Sequence, residues 1–405
     1  MTALSRRRLL TGAGAGAAAL ATGVADARIA PFSLSPLIGP GYKPTEPDEQ
    51  GLWQQYDRVE EEIAGSNILL HDPALNTYLQ GMIGRVGGPA AKDMRIYLAR
   101  IPEFNAVMFP TGFAVIFSGL LLRMRDEAQL AGVIAHESSH FLLRHQIRAF
   151  RDTKRKTDIF SFLAMGTGMA GGATGTYTGD LVRLAELGTV LSLYRYNRQI
   201  EAEADALGVK LIAQGGYDPL SMSETWEQLI GEIEESAQVR RKRVDRGYSL
   251  FATHPAPRAR MIDLRASAAE LSLPGRAYDR GRERYLAAIA PIRAMMIDDQ
   301  VKLNDPGASE FVVRTLARDG WNGLLWFALG ETNRLRNGIT DQERAAQAYA
   351  SAVTFADAPA DAWRWHGIMQ MKAGRRDEGK AALQRYLEMA PGAPDAPFVR
   401  QMIIS

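Results

Sequence analysis

Hydrophobic positions repeat every three or four residues over most of the chain, which is the period of a helix with one buried face. One such stripe starts at residue 51, and another follows the helix-start signal Asp72-Pro73. Further helical stretches cover residues 126–150, 180–214 and 226–246. The positions of the second stripe are Leu75, Leu79, Met82 and Val86. The pattern predicts a mainly α protein.

Alternating hydrophobic positions between residues 94 and 118 predict a small β-sheet. Residues 94–101 read as a strand, residues 105–112 as a strand followed by a turn, and Phe113 to Ser118 as a further strand. The edge of this last strand is expected beside the helix at 126–150, where it would hold an extended peptide by main-chain hydrogen bonds. The predicted substrate strand is represented by Asn105, Gly112, Val115 and Phe117.

A repeat is visible near the C-terminus. Trp326 and Trp363 are 37 residues apart, and the same spacing separates Gly330 from Gly367 and Tyr349 from Tyr386. A tetratricopeptide repeat has a period of about 34 residues, so the turn between the copies would be slightly longer here. Residues 319–396 are therefore predicted to form tetratricopeptide repeats, with 266–318 as a helical connector or degenerate repeat. An unrelated helical bundle is the alternative.

The first 27 residues have the outline of a secretory signal peptide. Arg6, Arg7 and Arg8 precede a weakly apolar run, and Ala25-Asp26-Ala27 is a small-x-small cleavage site. The arginines resemble a twin-arginine export signal, which predicts a periplasmic protein. The alternative is a helix that stays attached. Residues 28–50 contain five prolines and predict an extended linker.

Residues 159–178 are rich in glycine, alanine, methionine and threonine. Gly166, Gly168 and Gly171 match a dinucleotide-binding pattern, but no βαβ unit surrounds them. The glycines also disfavour a transmembrane helix. A mobile lid, or a loop that makes peripheral contact with a membrane, is the preferred interpretation.

Composition narrows the chemistry that the chain can perform. Its 405 residues predict two or three domains, and 46% hydrophobic with 23% charged residues is typical of a globular protein. A net charge of +2 favours no binding to nucleic acid. With no cysteine, disulfides, iron–sulfur clusters and cysteine zinc sites are excluded, so a transition-metal site must use histidine and carboxylate.

The strongest candidate for catalysis is the sequence HESSH at residues 136–140. His136 and His140 are four residues apart, so on a helix both imidazoles lie on one face and can reach one metal ion. Glu137 lies beside the first ligand, where a carboxylate can take a proton from an attacking water molecule. This arrangement is typical of a zinc peptidase.

Three residues are candidates for the third protein ligand of a catalytic zinc site. His145 lies five residues beyond His140 and is rotated off the ligand face, so chelation from one straight helix would be strained. His254 lies in a predicted loop and could reach the metal. Glu201 lies on a separate helix, and Asp205, one turn later, could accept a hydrogen bond from a ligand histidine.

Together these segments resemble a known family of zinc metallopeptidases. HESSH, EAEAD at 201–205 and HPAPRAR at 254–260 look like the motifs of the HtpX, CAAX prenyl endopeptidase and BepA type, peptidase family forty-eight. The resemblance covers residues 51–265, and the signal and repeats around it favour the soluble, periplasmic BepA-like branch. It implies a gluzincin-type zinc metallopeptidase domain followed by a helical tetratricopeptide-repeat domain.

The resemblance implies a role for each matching residue. His136, His140 and Glu201 would bind one Zn²⁺ per chain, and Glu137 would be the general base. Asp205 and Arg198 would lie next to these ligands. His254 and Arg260 match a segment that approaches the site and would stabilise the oxyanion, and His254 is also a candidate fourth zinc ligand that would keep the enzyme latent.

By the same resemblance, we expect an exported zinc metalloendopeptidase that hydrolyses peptide bonds of misfolded or stalled envelope proteins. Its substrate would be a protein or peptide, and its repeats would dock an outer-membrane assembly component. No transmembrane span is expected in the mature chain. Two alternatives are a periplasmic chaperone or scaffold that acts through the repeats, with a latent or structural zinc site, and a zinc hydrolase that does not cleave peptides.

Overall fold

The computed structural model describes residues 37–156, 197–241, 254, 257–272 and 275–404 of the chain. These ranges contain the helices and strands named here, together with two short 3₁₀ helices. The α-helices are α1 Pro47–Ala64, α2 Pro73–Val86, α3 Ser118–Arg123, α4 Glu127–Leu142, α5 His145–Lys156, α6 Arg198–Gln214, α7 Leu220–Arg240, α8 Pro257–Leu271, α9 Arg282–Lys302, α10 Pro306–Leu316, α11 Gly323–Arg336, α12 Asp341–Ala352, α13 Ala360–Lys372, α14 Arg376–Met389 and α15 Ala396–Ile404. The strands are β1 Arg95–Ala99, β2 Ala106–Met108 and β3 Phe113–Phe117.

The mainly helical fold with a small sheet is confirmed. Helix α2 shows why the hydrophobic pattern and the helix-start signal predict a helix. The carboxylate of Asp72 accepts a hydrogen bond from the backbone N–H of Leu75 at 3.0 Å and caps the first turn. Pro73 occupies the first helical position, where its missing N–H costs nothing. The four hydrophobic positions of the predicted stripe are all buried.

The helix that carries HESSH is shorter than the sequence predicts. Asp126 caps its start by accepting a hydrogen bond from the N–H of Gln129 at 2.9 Å. The predicted run to residue 150 is wrong, because α4 ends at Leu142 and Arg144 adopts a left-handed conformation with φ of 54°. A new helix, α5, then begins at His145.

The sheet is mixed and its central strand is β3. The strand order is β1-β3-β2, with β1 parallel and β2 antiparallel to β3. The prediction that the strand at 113–118 offers a free edge is therefore wrong, because its two edges are already paired with neighbouring strands. Among the described strands β2 is the edge nearest the HESSH helix, since Met108 hydrogen-bonds to Glu137.

A hydrophobic core joins α1, the sheet, α5 and α6 beneath the HESSH segment. The rings of Phe109 and Phe113 stack at 4.1 Å on either side of the strand turn, and Ile147 and Ile200 pack in the same cluster. Helix α6 also approaches α4 closely. A Cβ atom on Gly208 would lie 3.3 Å from the backbone of His136, so the absence of a side chain there brings the two helices into contact.

The C-terminal part forms consecutive pairs of helices. Helix α11 packs against α12 and helix α13 against α14, and α15 follows. The repeated glycines lie at the contacts within these pairs: Gly330 faces the ring of Tyr349, and Gly367 faces Leu383. In the part of the chain that the structure describes, no helix has both the length and the hydrophobicity needed to cross a membrane.

Two predicted segments lie outside the described residues. They are the signal peptide at 1–27 and the glycine-rich segment at 159–178. Residues 28–36 of the predicted linker also lie outside. The rest of that linker is only partly extended, because α1 already begins at Pro47, where proline is compatible with the first helical turn.

Candidate metal centre

Helix α4 supplies three of the residues at the centre of the site. His136 and His140 are one turn apart, and their Nε2 atoms face each other at 3.1 Å. Glu137 lies between them in sequence on the same buried helix. The exposed fractions of these side chains are small, and His140 is completely buried. Both imidazole nitrogens therefore point at one shielded space.

Helix α6 adds the Glu201 carboxylate to this space. Its Oε2 lies 3.7 Å from His136 Nε2, and its Oε1 lies 3.6 Å from His140 Nε2. Burial would raise the pKa of Glu201, but the nearby Arg260 and His254 outweigh it and lower the pKa below its ordinary value. The carboxylate is thus kept ionised, as a metal ligand must be.

His254 completes the group. Its Nδ1 lies 3.0 Å from each Glu201 carboxylate oxygen and 3.4 Å from His136 Nε2. One ligand atom from each of His136, His140, Glu201 and His254 lies within 4.8 Å of the others. The sequence left the third ligand open among three residues. The structure brings two of them, Glu201 and His254, into the same space.

These four residues fit a zinc ion. Two nitrogens bound tetrahedrally to zinc at about 2.0–2.1 Å lie roughly 3.3 Å apart, close to the separations found here. Three imidazoles and one carboxylate are a donor set that suits zinc. The histidines also aim lone pairs at the space, because the other ring nitrogens of His136 and His140 are held by Asp205 and His145.

Asp205 orients His136 from the helix turn that follows Glu201. Its Oδ1 lies 2.9 Å from His136 Nδ1, so it can accept the proton of that nitrogen and leave Nε2 free to bind a metal. Burial would raise the pKa of Asp205, but the Arg260 guanidinium outweighs it and holds the pKa well below its ordinary value. The carboxylate is therefore a permanent acceptor.

Arg260, on α8, holds the two carboxylates of α6. It donates to Asp205 through Nε at 2.8 Å and Nη2 at 2.7 Å, and its Nη1 lies 2.5 Å from a Glu201 oxygen. The guanidinium also lies 4.3 Å from the ring centre of Trp226. These contacts hold it beside the ligands. The oxyanion role expected for Arg260 and His254 stays a prediction.

Glu137 is positioned by the edge strand. The backbone N–H of Met108, in β2, donates to Glu137 Oε2 at 3.1 Å, and His254 Nε2 lies 3.6 Å from Oε1. Gln146 donates to the carbonyl oxygen of the same Met108 at 2.8 Å. Burial raises the pKa of Glu137 above its ordinary value, even though neighbouring histidines lower it. A carboxylate with a raised pKa both accepts and releases protons more readily near neutrality.

His145 is close to the centre but on its far side. Its Nδ1 lies 2.9 Å from His140 Nδ1, the nitrogen that faces away from Glu201 and His136. Its Nε2 lies 3.3 Å from a carboxylate oxygen of Glu203. Burial and the neighbouring Arg148 lower the pKa of His145 to about 4. Sequence reasoning missed Glu203, because nothing in the spacing separates it from a surface carboxylate.

The remaining predicted residues lie outside the donor group. Arg198 begins α6 and is exposed, so no described contact supports the role expected for it beside the ligands. Asn105 is buried and its side chain accepts from the N–H of Ala106 at 3.0 Å. Gly112 forms the turn before β3 with a φ of 87°, which favours glycine. Val115 and Phe117 belong to the central strand, and their place in a substrate strand is corrected accordingly.

A largely apolar cavity opens beside His136 and Glu137. It was not found from the sequence, because its walls come from several separate elements. Its hydrophobic lining includes Phe104, Leu120, Val133, Met222 and Trp226. A cavity with this lining next to the donor group can receive an apolar side chain.

Comparison with known proteins shows which family the domain around this site resembles. Residues 70–268 match Peptidase family M48. The Beta-barrel assembly-enhancing protease of Escherichia coli is 30% identical over 228 residues, which is 54% of this chain and 44% of that protein. The Mitochondrial metalloendopeptidase OMA1 of Schizosaccharomyces pombe is 27% identical over 176 residues, 44% of this chain and 47% of that protein.

A third relative is the Metalloprotease LoiP of Escherichia coli, 28% identical over 178 residues, 43% of this chain and 61% of that protein. The matched part of the chain thus spans about half the length of these relatives. It includes all four residues of the donor group, together with Glu137, Asp205 and Arg260. The residues of this site thus lie in a domain, at residues 70–268, that matches Peptidase family M48.

Proposed function

We propose that this chain is a zinc-dependent metalloendopeptidase that hydrolyses peptide bonds in misfolded or stalled proteins of the bacterial envelope. The observation that carries the proposal is the buried group of His136, His140, Glu201 and His254, with Glu137 directly beside it. A purely structural zinc site has no need of Glu137. A zinc ion bound there supplies Lewis acidity that polarises the substrate carbonyl and acidifies water.

Glu137 is the group that moves the proton. Its carboxylate takes a proton from the attacking water and returns it to the leaving amine. The N–H of Met108 fixes Oε2, so Oε1 is the oxygen that faces the reaction space near His254. The raised pKa of Glu137, which follows from its burial, favours this two-way transfer.

Helices α6 and α8 keep the donor group in place during the reaction. Asp205 holds the ring of His136, and Arg260 forms ion pairs with both Asp205 and Glu201. Without Arg260, the negative charges of Glu201 and Asp205 would both be buried without a positively charged partner. The ion pairs with Arg260 offset the cost of burying these carboxylates.

The substrate is aligned by β2 rather than by β3. Strand β2 is an edge of the described sheet, and its residue Met108 already contacts the proton-transfer group. An extended peptide placed along this strand brings its scissile bond next to Glu137, without main-chain hydrogen bonds to Met108, whose N–H and carbonyl are engaged by Glu137 and Gln146. The apolar cavity lined by Met222 and Trp226 then accepts a hydrophobic side chain of the peptide.

The envelope setting and the repeats are part of the same proposal. One relative is named for enhancing β-barrel assembly, which supports a setting in which outer-membrane proteins are assembled. The helix pairs between residues 323 and 389 support tetratricopeptide repeats at 319–396, which would dock an assembly partner on a concave face. Cross-linking of the Glu137→Gln protein in cells should trap such a partner. The same cross-link should be absent when the protein lacks residues 319–396, and its persistence would contradict docking by the repeats.

Export through the twin-arginine route is proposed from Arg6 and Arg7. In cells that produce the full chain, changing both to lysine should leave the protein in the cytoplasm, whereas the unchanged protein is found in the periplasmic fraction. The same fractionation for both proteins would contradict this route.

The proposed activity is tested with Glu137→Gln. This change keeps the shape of the side chain but removes the proton acceptor, so zinc content should be unchanged while cleavage of an unfolded protein is lost by about 10²-fold or more. Glu62→Gln, at an exposed position of α1, is a matched control that should cleave normally. If wild type and Glu137→Gln act alike on unfolded substrates, the enzyme proposal is wrong and a scaffold role remains.

A further inference from the structure

We propose that His145 is a positioning residue that fixes the tautomer and ring orientation of His140, with Glu203 as the acceptor at the end of the chain. The proposal rests on the metal site proposed above. It concerns a histidine that the sequence offers as a metal ligand and that the catalytic scheme leaves unused.

The first link is the contact between the two rings. His140 Nδ1 and His145 Nδ1 are 2.9 Å apart, and both side chains are completely buried. Because His140 directs Nε2 at the donor group, that nitrogen must carry a lone pair to bind a metal. The proton of His140 is therefore on Nδ1, and His145 Nδ1 accepts it.

The second link follows from the first. A neutral imidazole that accepts through Nδ1 carries its own proton on Nε2. His145 Nε2 lies 3.3 Å from Glu203 Oε2, so it donates to that carboxylate. Arg148 donates to the same oxygen at 2.6 Å, and Gln199 donates to the other at 3.2 Å. Glu203 is thus held in place as the final acceptor.

The helix break explains how His145 reaches this position. On a continuous helix a residue five positions beyond His140 is rotated away from it. Here α4 ends at Leu142, and Arg144 takes up the left-handed conformation before α5 begins. The break places the His145 ring against the rear nitrogen of His140. It does not bring His145 into the group of ligand atoms, which consists of four other residues among those described.

The two ligand histidines of α4 are consequently oriented in different ways. His136 donates directly to a carboxylate, Asp205. His140 reaches a carboxylate only through a second imidazole. The intermediate ring makes His140 orientation depend on one residue that touches neither substrate nor metal, and this dependence can be measured.

The test compares two variants of the full-length protein. His145→Phe removes the acceptor for His140 Nδ1–H, whereas His145→Asn places an amide oxygen close to the position of Nδ1. We expect the dissociation constant for Zn²⁺, measured by chelator competition, to rise about 10–100-fold in His145→Phe and to recover largely in His145→Asn. The visible spectrum of the Co²⁺-loaded protein should change in the first variant and return toward wild type in the second.

Controls separate this outcome from general damage and from failure of the site itself. His366→Phe, which changes a half-buried histidine of α13, should leave zinc affinity unchanged. Thermal unfolding of the metal-free variants reports on folding, and if His145→Phe does not fold, Glu203→Leu provides the same test with a smaller expected loss. Wild-type zinc affinity in a folded His145→Phe or Glu203→Leu protein, or equal loss in His145→Phe and His145→Asn, overturns the proposal. If wild type binds no zinc, the metal site fails as well.

Discussion

His136 Nδ1 and Asp205 Oδ1 lie 2.9 Å apart and connect the helix that carries HESSH to the helix that carries Glu201. The contact depends on the spacing of one helical turn in both α4 and α6. On α4 it leaves His136 Nε2 beside His140, and on α6 it places the acceptor one turn after Glu201. Arg260 binds the same Asp205, so three helices meet at this one hydrogen bond.

Arg260 should be essential for the stability of the metal-free protein. Arg260→Met leaves two buried carboxylates, Asp205 and Glu201, without their partner, and we expect a loss of about 3–5 kcal/mol in the free energy of unfolding. Arg258, on the same helix as Arg260, forms an exposed pair with Glu234 of α7, and Arg258→Met should cost less than about 1 kcal/mol. Denaturant unfolding checks both, and equal losses would contradict the assigned role.

His254→Ala is expected to increase peptidase activity. The imidazole lies between Glu201 and Glu137, in the space where a water molecule and the scissile carbonyl must come together. Its removal opens a ligand position while His136, His140 and Glu201 remain. Initial rates on an unfolded protein are the measurement, with His366→Ala as the control. A lower rate in His254→Ala would instead assign His254 a supporting role in catalysis.

Gly330 should tolerate no side chain at the contact of α11 with α12. A Cβ atom there would lie 2.5 Å from the ring of Tyr349, which is fully buried. Gly330→Ala is expected to destabilise the protein by about 1–3 kcal/mol. Gly51→Ala is the matched helical control, because nothing lies within 4 Å of its added Cβ, and it should stabilise by about 0.5–1 kcal/mol. Thermal unfolding of both variants distinguishes close packing from helix propensity.

Glu127 should contribute to the loss of stability in acid. Burial would raise the pKa of Glu127, but hydrogen bonds from Arg284, Tyr217 and Tyr78 outweigh it and lower the pKa below its ordinary value of 4.5. As the pH falls, the Glu127 carboxylate is therefore protonated in the unfolded chain before it is protonated in the folded protein. The stabilisation that it contributes above pH 4.5 is lost as the pH falls through the folded pKa. Urea unfolding of metal-free protein between pH 7 and pH 3 should show a smaller decline in Glu127→Gln. An identical decline would remove Glu127 from the account.

Local features of the site were readable because they depend on positions close together in the chain. The spacing of His136 and His140 determines that both lie on one helix face, and the spacing of Glu201 and Asp205 does the same on α6. The cap at Asp72 and the stripe that follows were equally accessible. Each of these rests on the period of one helix.

Features that join distant segments were decided only by the tertiary structure. The sequence alone could not choose between Glu201 and His254, because both approach α4 from elements distant in the chain, and packing brings both to the same space. The sequence also could not predict the strand order, because hydrophobic alternation identifies a strand but not its neighbours. The structure shows that β3 is the central strand.

The position of His145 combines the two levels. A residue five positions after His140 is rotated off the ligand face of a straight helix, but the break at Arg144 cannot be read from that spacing. The break, together with the packing of α6 that supplies Glu203, turns the ring toward the rear of His140. The sequence alone determined which residues share a helix face, and the packing of those helices decided which side chains meet, because contacts between elements depend on the whole core and not on local spacing.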